Sequence, residues 1–197
     1  MADNVCGDRA VSFIRNCKAV PKRGSFVEIG VFKGNSAIII SQVCYNREFH
    51  LYDSWEGLPE LTVHDEKRGF KGQFQADYET TKSIIQKLKH RNCRTIYHNG
   101  LVQDTFNSND YPDGIAFLHI DVDLYEATLY CLENFWPLVL DGGIVQIDDY
   151  GLYPGCKKAV HEFIDPLDLI IYDVYAQPAP VYVSKGDTGN ENKKIGV

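Results

Sequence analysis

The sequence predicts an α/β protein with a Rossmann-like, doubly wound sheet of seven strands, mostly parallel and ending in a C-terminal antiparallel edge hairpin. Three observations support this fold class. Short runs of β-branched and aromatic residues alternate with longer segments of helical character, which is typical of βα units. The chain has 197 residues, enough for one domain with one core. The last two apolar runs are separated by four residues, 176–179, too few for a crossover between parallel strands.

The candidate elements follow in chain order. A helix over residues 8–17 precedes the first strand. The predicted strands are residues 25–29, 48–52, 94–97, 115–120, 143–147, 169–175 and 180–184. The other predicted helices are residues 36–44, 78–89, 124–136 and 156–164. We therefore expect a single domain over residues 1–184, followed by a polar, frayed tail at 185–197.

Composition excludes several classes of function. Hydrophobic residues make up 44% of the chain and charged residues 24%, as in an ordinary globular protein. The net charge of −7 disfavours a nucleic-acid partner, and no apolar run reaches the roughly 20 residues that span a bilayer. The first twenty residues lack the apolar core of a signal peptide, and the six cysteines form no CxxC pair. We expect a cytoplasmic protein with reduced thiols and no membrane partner.

A glycine turn follows the first predicted strand. The segment VEIGVFKGNSA contains E-x-G-x-x-x-G, formed by Glu28, Gly30 and Gly34, and leads into a helix that begins near Ser36. Glycine permits positive φ and the close approach of a flat cofactor, and amide groups at a helix start can hold a carboxylate or phosphate. A dinucleotide fingerprint would need glycines at positions 32 and 35, which are absent. The turn resembles motif I of class I S-adenosylmethionine-dependent methyltransferases, with a purely packing turn as the alternative.

Asp53 ends the second predicted strand, about twenty residues after the glycine turn. An acid at this position accepts hydrogen bonds from ribose hydroxyls in nucleotide-binding folds. Capping of the loop that follows is the alternative. That loop, residues 55–77, is longer than most connections and is a candidate lid, with a disordered insertion as the alternative. Trp55, Phe70 and Tyr125 are candidates to flank an aromatic or sugar acceptor, although packing is the commoner role for such residues.

Four aspartates follow two strands that a doubly wound sheet places side by side. Asp121 and Asp123 share one side of the fourth strand, and Asp148 and Asp149 end the fifth. Carboxylates that close raise one another's pKa values unless a cation intervenes, and a hard divalent ion such as Mg²⁺ suits oxygen ligands. Consecutive strand residues face opposite ways, so we predict a break between Asp148 and Asp149. The alternatives are helix capping by Asp123 with Glu126, and a non-metal role for Asp121 and Asp148.

Two histidines lie near these acids. His119 has the same parity as Asp121 within the fourth strand, and we expect a packed, structural side chain because strand interiors are usually buried. His161, on the last predicted helix, is expected at the surface.

The ordered segments VEIGVFKGNSA, LYDSWEGLPE, LHIDVDLYEAT, GGIVQIDDYG and GCKKAVHEF resemble the macrocin O-methyltransferase family, whose metal-dependent members methylate hydroxyls of sugar-bearing natural products. The resemblance covers residues 25–163. It implies Asp121, Asp148 and Asp149 as Mg²⁺ ligands and Asp123 as the base. The candidate S-adenosylmethionine contacts are Glu28, Gly30, Gly34, Ser36 and Asp53. The chain is shorter than typical members before the first strand, which leaves the acceptor and the quaternary structure, including a homo-oligomer, open.

The expected function is methyl transfer to a hydroxyl of a small molecule. A metal-dependent glycosyltransferase that uses a nucleotide sugar is the first alternative, because Asp121 and Asp123 also form the Asp-x-Asp pattern of those enzymes. It leaves the glycine turn and the Asp148–Asp149 pair unexplained. A non-catalytic cofactor-binding module is the second alternative, and the intact acids argue against it.

Overall fold

The chain forms an α/β fold, seen in a computed structural model that describes residues 7–65, 68–173 and 180–186. The strands are β1 (Ser25–Ile29), β2 (Arg47–Asp53), β3 (Cys93–Asn99), β4 (Ile115–Ile120), β5 (Val139–Ile147), β6 (Tyr172–Asp173) and β7 (Val181–Ser184). The helices are α1 (Gly7–Ala19), α2 (Asn35–Ser41), α3 (Tyr78–Leu88), α4 (Val102–Thr105), α5 (Tyr125–Phe135) and α6 (Pro154–Ile164).

All seven strands belong to one sheet, in the order β3-β2-β1-β4-β5-β7-β6. Strands β1 to β5 pair in parallel, and β7 is antiparallel to both β5 and β6. The predicted fold class is confirmed, including the antiparallel edge. The chain direction across the sheet reverses between β1 and β4, and ligands of such folds bind outside the carboxyl ends of the strands at this switch point.

Strand β5 begins at Val139 instead of the predicted residue 143, and the largest difference from the predictions is at one edge of the sheet. The sixth strand, predicted over residues 169–175, contains only Tyr172–Asp173, after a turn in which Asp168 has a left-handed φ of 52°; residues 174–179 lie outside the described part. Lys185, assigned to the tail, extends the sheet pairing, since its N–H donates to the Gly143 carbonyl. The rest of the predicted tail, residues 187–197, lies outside the described residues. Helix α4 was not predicted, because four residues are too few to show a helical period.

The core lies on both faces of the sheet. Phe135 and Val160, from α5 and α6, pack on one face, whereas Phe13 and Ile40, from α1 and α2, pack on the other. Every residue of β4 is buried, which places this strand at the centre of the fold. Its carboxyl end, where Asp121 follows, is therefore held by buried structure on both sides.

Five cysteines are described, and all are buried free thiols: Cys17, Cys44, Cys93, Cys131 and Cys156. This agrees with the expected packing role, while Cys6 lies outside the described residues. Among the helices of the described ranges, none is both long and apolar enough to cross a bilayer.

Candidate active site

A cavity of about 980 Å³ lies at the carboxyl edge of the sheet, over the tips of β1, β2, β4 and β5. It is large enough for a nucleoside cofactor and a small acceptor together. The structure brings these predicted site residues to its wall: Gly30, Ser36, Asp53, Asp121, Asp123, Asp148 and Asp149. Glu28 and Gly34 do not line it.

Gly30 is required by the contact between the tips of β1 and β4. Its φ is 92°, and a Cβ there would stand 1.8 Å from the backbone oxygen of Asp121. Gly34 also has positive φ, but a Cβ there would meet the side chain of Ile85 on α3 at 2.7 Å. The packing alternative therefore accounts for Gly34, whereas Gly30 both permits the strand contact and exposes backbone to the cavity.

Asp53 holds the glycine turn in place. Its Oδ2 accepts hydrogen bonds from the N–H groups of Val31 at 2.8 Å and Phe32 at 2.7 Å, and its Oδ1 accepts one from Trp55 N–H at 2.6 Å. The structure thus contains the loop-capping role that the sequence left as the alternative. Asp53 also faces the cavity, and contact with a ribose stays a prediction.

Glu28 and His119 form a buried pair beneath the cavity. Both side chains are fully buried, and His119 Nδ1 lies 2.9 Å from Glu28 Oε1. Burial opposes the charged imidazole, but Asp148 and Glu28 outweigh it and raise the pKa of His119 to about 9. His119 is buried within its strand as expected, and its Nε2 faces Asp148. Glu28 is engaged with His119 instead of facing the cavity, so its predicted cofactor contact finds no direct support.

Asp123 sits in a strained turn between β4 and α5. Its φ of 61° is left-handed, and its N–H donates to Asp149 Oδ2 at 2.8 Å. Helix α5 begins two residues later, with Leu124 as the N-cap. The helix start is instead bonded by Asp65, whose Oδ1 accepts from Tyr125 N–H at 2.9 Å. The capping alternative for Asp123 is therefore wrong, and its carboxylate instead interacts with Tyr153 and Asp149.

The predicted break at the end of β5 is present. Asp148 N–H donates to the Ile120 carbonyl at 2.9 Å, continuing the pairing with β4. The chain then turns, and the Asp149 carbonyl accepts from the N–H groups of Leu152 and Tyr153, both at 2.9 Å. As a result both carboxylates reach the cavity.

The clustered acids have raised pKa values. Burial, followed by the charge of Asp148, raises the pKa of Asp121 to about 6. Burial and the charge of Asp121 raise the pKa of Asp123 to about 7. Burial and the charge of Asp123 likewise raise the pKa of Asp149 well above its usual range. Such shifts concentrate at functional sites, since a folded chain gains no stability from crowding like charges.

The donor set fits a divalent cation. Ligand atoms of His119, Asp121 and Asp148 all lie within 4.8 Å of one another. Within the described residues, Asp148 Oδ1 is buried and has no hydrogen-bond partner, although it lies 3.5 Å from His119 Nε2. The contact with His119 is an ion pair without hydrogen-bond geometry, and a hard cation would bind this oxygen more closely. Asp149, the third predicted ligand, directs one oxygen to the Asp123 N–H.

Comparison with known proteins decides the family. The model of the TylF macrocin O-methyltransferase family matches residues 7–170. The chain belongs to the macrocin O-methyltransferase family. It is 28% identical to demethyldecarbamoylnovobiocin O-methyltransferase of Streptomyces niveus, over 85% of the chain and 70% of that enzyme. It is 31% identical to 8-demethyl-8-(2,3-dimethoxy-alpha-L-rhamnosyl)-tetracenomycin-C 4'-O-methyltransferase of Streptomyces olivaceus, over 71% of the chain and 58% of that enzyme.

Among solved structures, the O-methyltransferase NovP superposes with a TM-score of 0.78 at 26% identity, over 90% of the chain and 79% of NovP. The fold is therefore that of the Rossmann-like, S-adenosylmethionine-binding methyltransferases. The family resemblance found in the sequence is confirmed, and with it O-methyltransferase activity.

The long segment of this O-methyltransferase, residues 55–77, is folded against the cavity over its described part. Leu58 and Gln73 are joined by a backbone hydrogen bond of 2.8 Å, and the Trp55 indole N–H donates to the Phe32 carbonyl. Asp65 is buried, and its Oδ2 accepts from both the N–H and the hydroxyl of Thr62. The alternative of a disordered insertion is therefore wrong for residues 55–65 and 68–77.

The aromatic residues at the cavity are not the predicted ones. Trp55 is buried against Tyr78, Phe70 is 67% exposed, and neither these two nor Tyr125 lines the cavity. The aromatic residues at the wall are instead Phe32, Tyr52, Phe74 and Tyr153. Spacing along a loop could not identify them, because both Phe32 and Phe74 have left-handed backbone that redirects their side chains. His161 is on the surface as expected, bonded to Tyr150.

Two further residues of the methyltransferase site were missed by sequence reasoning. Asp65 lies in a loop with no motif, and its partner at Tyr125 is 60 positions away. Arg9, on α1, bonds Asp121 across 112 positions. The sequence contains a weak signal for Arg9. A cation in the first turn of a helix interacts unfavourably with the helix dipole, so its presence there indicates that it interacts with another part of the protein.

Proposed function

We propose that this O-methyltransferase transfers the methyl group of S-adenosylmethionine to a hydroxyl of a sugar carried by a small natural product, and that it requires a divalent cation such as Mg²⁺. The observation that carries the proposal is the convergence of Asp121, Asp148 and Asp149 on the same cavity wall as Gly30. The names of the relatives support a glycosylated acceptor, because one of them acts on a rhamnosyl-tetracenomycin.

The cofactor half of the reaction is assigned to the tips of β1 and β2. S-adenosylmethionine, when bound, supplies the electrophilic methyl group. Gly30 exposes backbone to the cavity, and Ser36 and Asp53 are polar groups on the same wall. Asp53 also keeps the turn rigid through three backbone N–H bonds. Held this way, the cofactor pocket keeps a fixed geometry, and alignment is a large part of the rate enhancement of such displacements.

The acceptor half is assigned to the four acids. Asp121, Asp148 and Asp149 would hold the cation. A bound divalent cation lowers the pKa of a hydroxyl and fixes its oxygen. Asp123 would accept the hydroxyl proton on its carboxylate, which lies on the same cavity wall as the three proposed ligands. Its strained turn, bonded by Asp149 and followed by the Asp65-bonded start of α5, aims the carboxylate at the cavity.

Residues 55–65 and 68–77 cover the acceptor side in this proposal and limit access of water. Glu56, Leu58 and Phe74 from this segment line the cavity. We propose a small-molecule acceptor without a nucleic-acid or membrane partner, in line with the net charge of −7. The proposal includes a cytoplasmic location and self-association into a homo-oligomer.

Methyl transfer and metal binding together test the proposal. The measurement is methylation of demethyldecarbamoylnovobiocin and the rhamnosyl-tetracenomycin acceptor by labelled S-adenosylmethionine, with Mg²⁺ and with chelator. Asp121→Asn and Asp148→Asn should lose metal-dependent turnover, whereas Asp123→Asn should keep metal binding and lose the chemical step. Normal turnover in chelator would refute the metal requirement. Binding of a nucleotide sugar without S-adenosylhomocysteine binding would instead favour the glycosyltransferase alternative.

A further inference from the structure

Arg9 places a positive charge at the acidic end of the cavity. Its Nη2 lies 2.8 Å from Asp121 Oδ2 and 2.6 Å from Asp148 Oδ2. A single nitrogen thus contacts the two carboxylates at once. Asp148 is largely buried in this contact, with a side-chain exposure of 8%, so the interaction is stronger than that of an exposed ion pair.

The nitrogen of Arg9 contacts Oδ2 of both Asp121 and Asp148, two of the three carboxylates assigned to the cation. An Mg²⁺ ion binds oxygen at about 2.1 Å and cannot share that space with a guanidinium group. Charge repulsion acts in the same direction, because both groups are positive and lie in a partly buried site. Arg9 and a divalent cation are therefore alternative occupants of this position.

Helix α1 is docked independently of this contact. Phe13 is fully buried and packs edge-on against His119, with ring centroids 4.8 Å apart. Asn16, one turn further on, donates to Gln146 on β5 at 2.9 Å. Because these contacts hold the helix, the Arg9 side chain can leave the acids without release of α1.

We propose that Arg9 is a protein-borne cation that occupies the acidic site when no divalent metal is bound, and that metal binding displaces it. Arg9 then neutralises Asp121 and Asp148 in the metal-free protein and lowers its apparent affinity for metal. The inference rests on the proposed metal site. It adds that the site is filled by the chain itself, so that metal affinity is set by a residue outside the ligand set.

The test is calorimetric titration of the chelator-treated full chain with Mn²⁺ and with Mg²⁺. The variant is Arg9→Gln, and the matched control is Arg15→Gln, which removes the same charge from an exposed position on the same helix. Arg9→Gln should bind metal at least about tenfold more tightly than the wild type, because the competing occupant is gone. Arg15→Gln should bind metal like the wild type.

Thermal unfolding gives a second readout that does not depend on turnover. In chelator, Arg9→Gln should melt at a lower temperature than the wild type, and saturating Mg²⁺ should close the gap. If Arg9→Gln fails to fold, Arg9→Lys replaces it, because the shorter ammonium keeps the charge but loses the shared contact and should also bind metal more tightly.

The outcomes separate the two proposals. Metal binding by the variant alone, or tighter binding by the variant, supports displacement of Arg9. Equal or weaker binding by the Arg9 variants than by the wild type overturns it while leaving the metal requirement intact. No binding to any variant, with methyl transfer unaffected by chelator, overturns both.

Discussion

Two groups of carboxylates face the same cavity and have opposite effects on the stability of the fold. Asp53 and Asp65 accept three hydrogen bonds each, from neighbouring N–H and hydroxyl groups, and hold the turns around the cavity. The cluster of Asp121, Asp123, Asp148 and Asp149 has raised pKa values at three positions, and within the described residues Asp148 Oδ1 is buried without a hydrogen-bond partner. The first group stabilises the fold, whereas the second is held in place at a cost in stability. The same residue type thus marks a structural or a functional site according to the donors around it.

The largest effect on stability is expected at Gly30, which lies between the turn bonded by Asp53 and the backbone of Asp121. Gly30→Ala should lower the free energy of unfolding by ~4 kcal/mol or prevent folding, because a Cβ at 1.8 Å from the Asp121 oxygen forces the tips of β1 and β4 apart. Gly72→Ala is the control, since Gly72 also has positive φ but nothing within 4 Å of the added atom. It should lose ~1 kcal/mol by chemical denaturation. Equal losses of unfolding free energy in the two variants would show that the positive φ, and not the contact between β1 and β4, accounts for the effect.

Removing a charge from the structural group should destabilise the protein. Asp53→Asn keeps one acceptor oxygen but turns the other into a donor that faces backbone N–H groups. The expected loss is ~2 kcal/mol, as for other buried, charge-assisted hydrogen bonds. Urea unfolding measures it, with Glu60→Gln as the control, because Glu60 is exposed and pairs with exposed Lys71. If Asp53→Asn were as stable as the wild type, Asp53 would not have the stabilising role assigned to it here.

The same substitution in the functional group should have the opposite sign. At pH 8 in chelator, Asp123→Asn should raise the free energy of unfolding by ~1 kcal/mol, since burial and Asp121 oppose the charged form. Methyl transfer should be lost in the same variant. A lower melting temperature for Asp123→Asn would contradict the distinction between the two groups.

Stability should also depend on pH. Asp121 and Asp123 have folded pKa values of about 6 and about 7, above the usual 3.8, and His119 has one of about 9, above the usual 6.5. The folded chain therefore binds more protons than the unfolded chain, and stability falls as pH rises through these windows. In chelator, the melting temperature should fall from pH 6 to pH 9, and Asp123→Asn should fall less.

His98 provides the control for that measurement. Burial and the neighbouring His50 lower the pKa of His98 to about 4. A lowered pKa gives stability that is present above 6.5 and lost as pH falls toward 4. His98→Asn should therefore change the slope of melting temperature against pH only below about pH 6.5, and a changed slope between pH 7 and 9 would count against the assignment to the acids.

Much of the site was predictable because it lies on regular structure. Asp121 and Asp148 follow strands whose apolar runs are unmistakable, and neighbouring parallel strands end at one edge, so their convergence follows from topology. Asp53 was placed correctly, but its role was not decided, because the donors it meets come from a turn 21 and 22 positions away. The sequence does not predict that Arg9, Asp65 and Phe74 reach the cavity. Their positions depend on how a helix docks and on left-handed loop backbone, and neither produces a periodic pattern in the sequence.

The sequence by itself determined the fold class, the family and the edge of the sheet where the acids collect, because alternating patterns and short motifs are local properties of the chain. Only the tertiary structure decided which carboxylates accept hydrogen bonds that stabilise the turns and which lie close to other carboxylates with raised pKa values. That distinction depends on donors brought from distant positions, such as Arg9 beside Asp148 and Tyr125 beside Asp65. The free energy of a buried charge is set by the groups around it in space, and neighbours in sequence do not specify them.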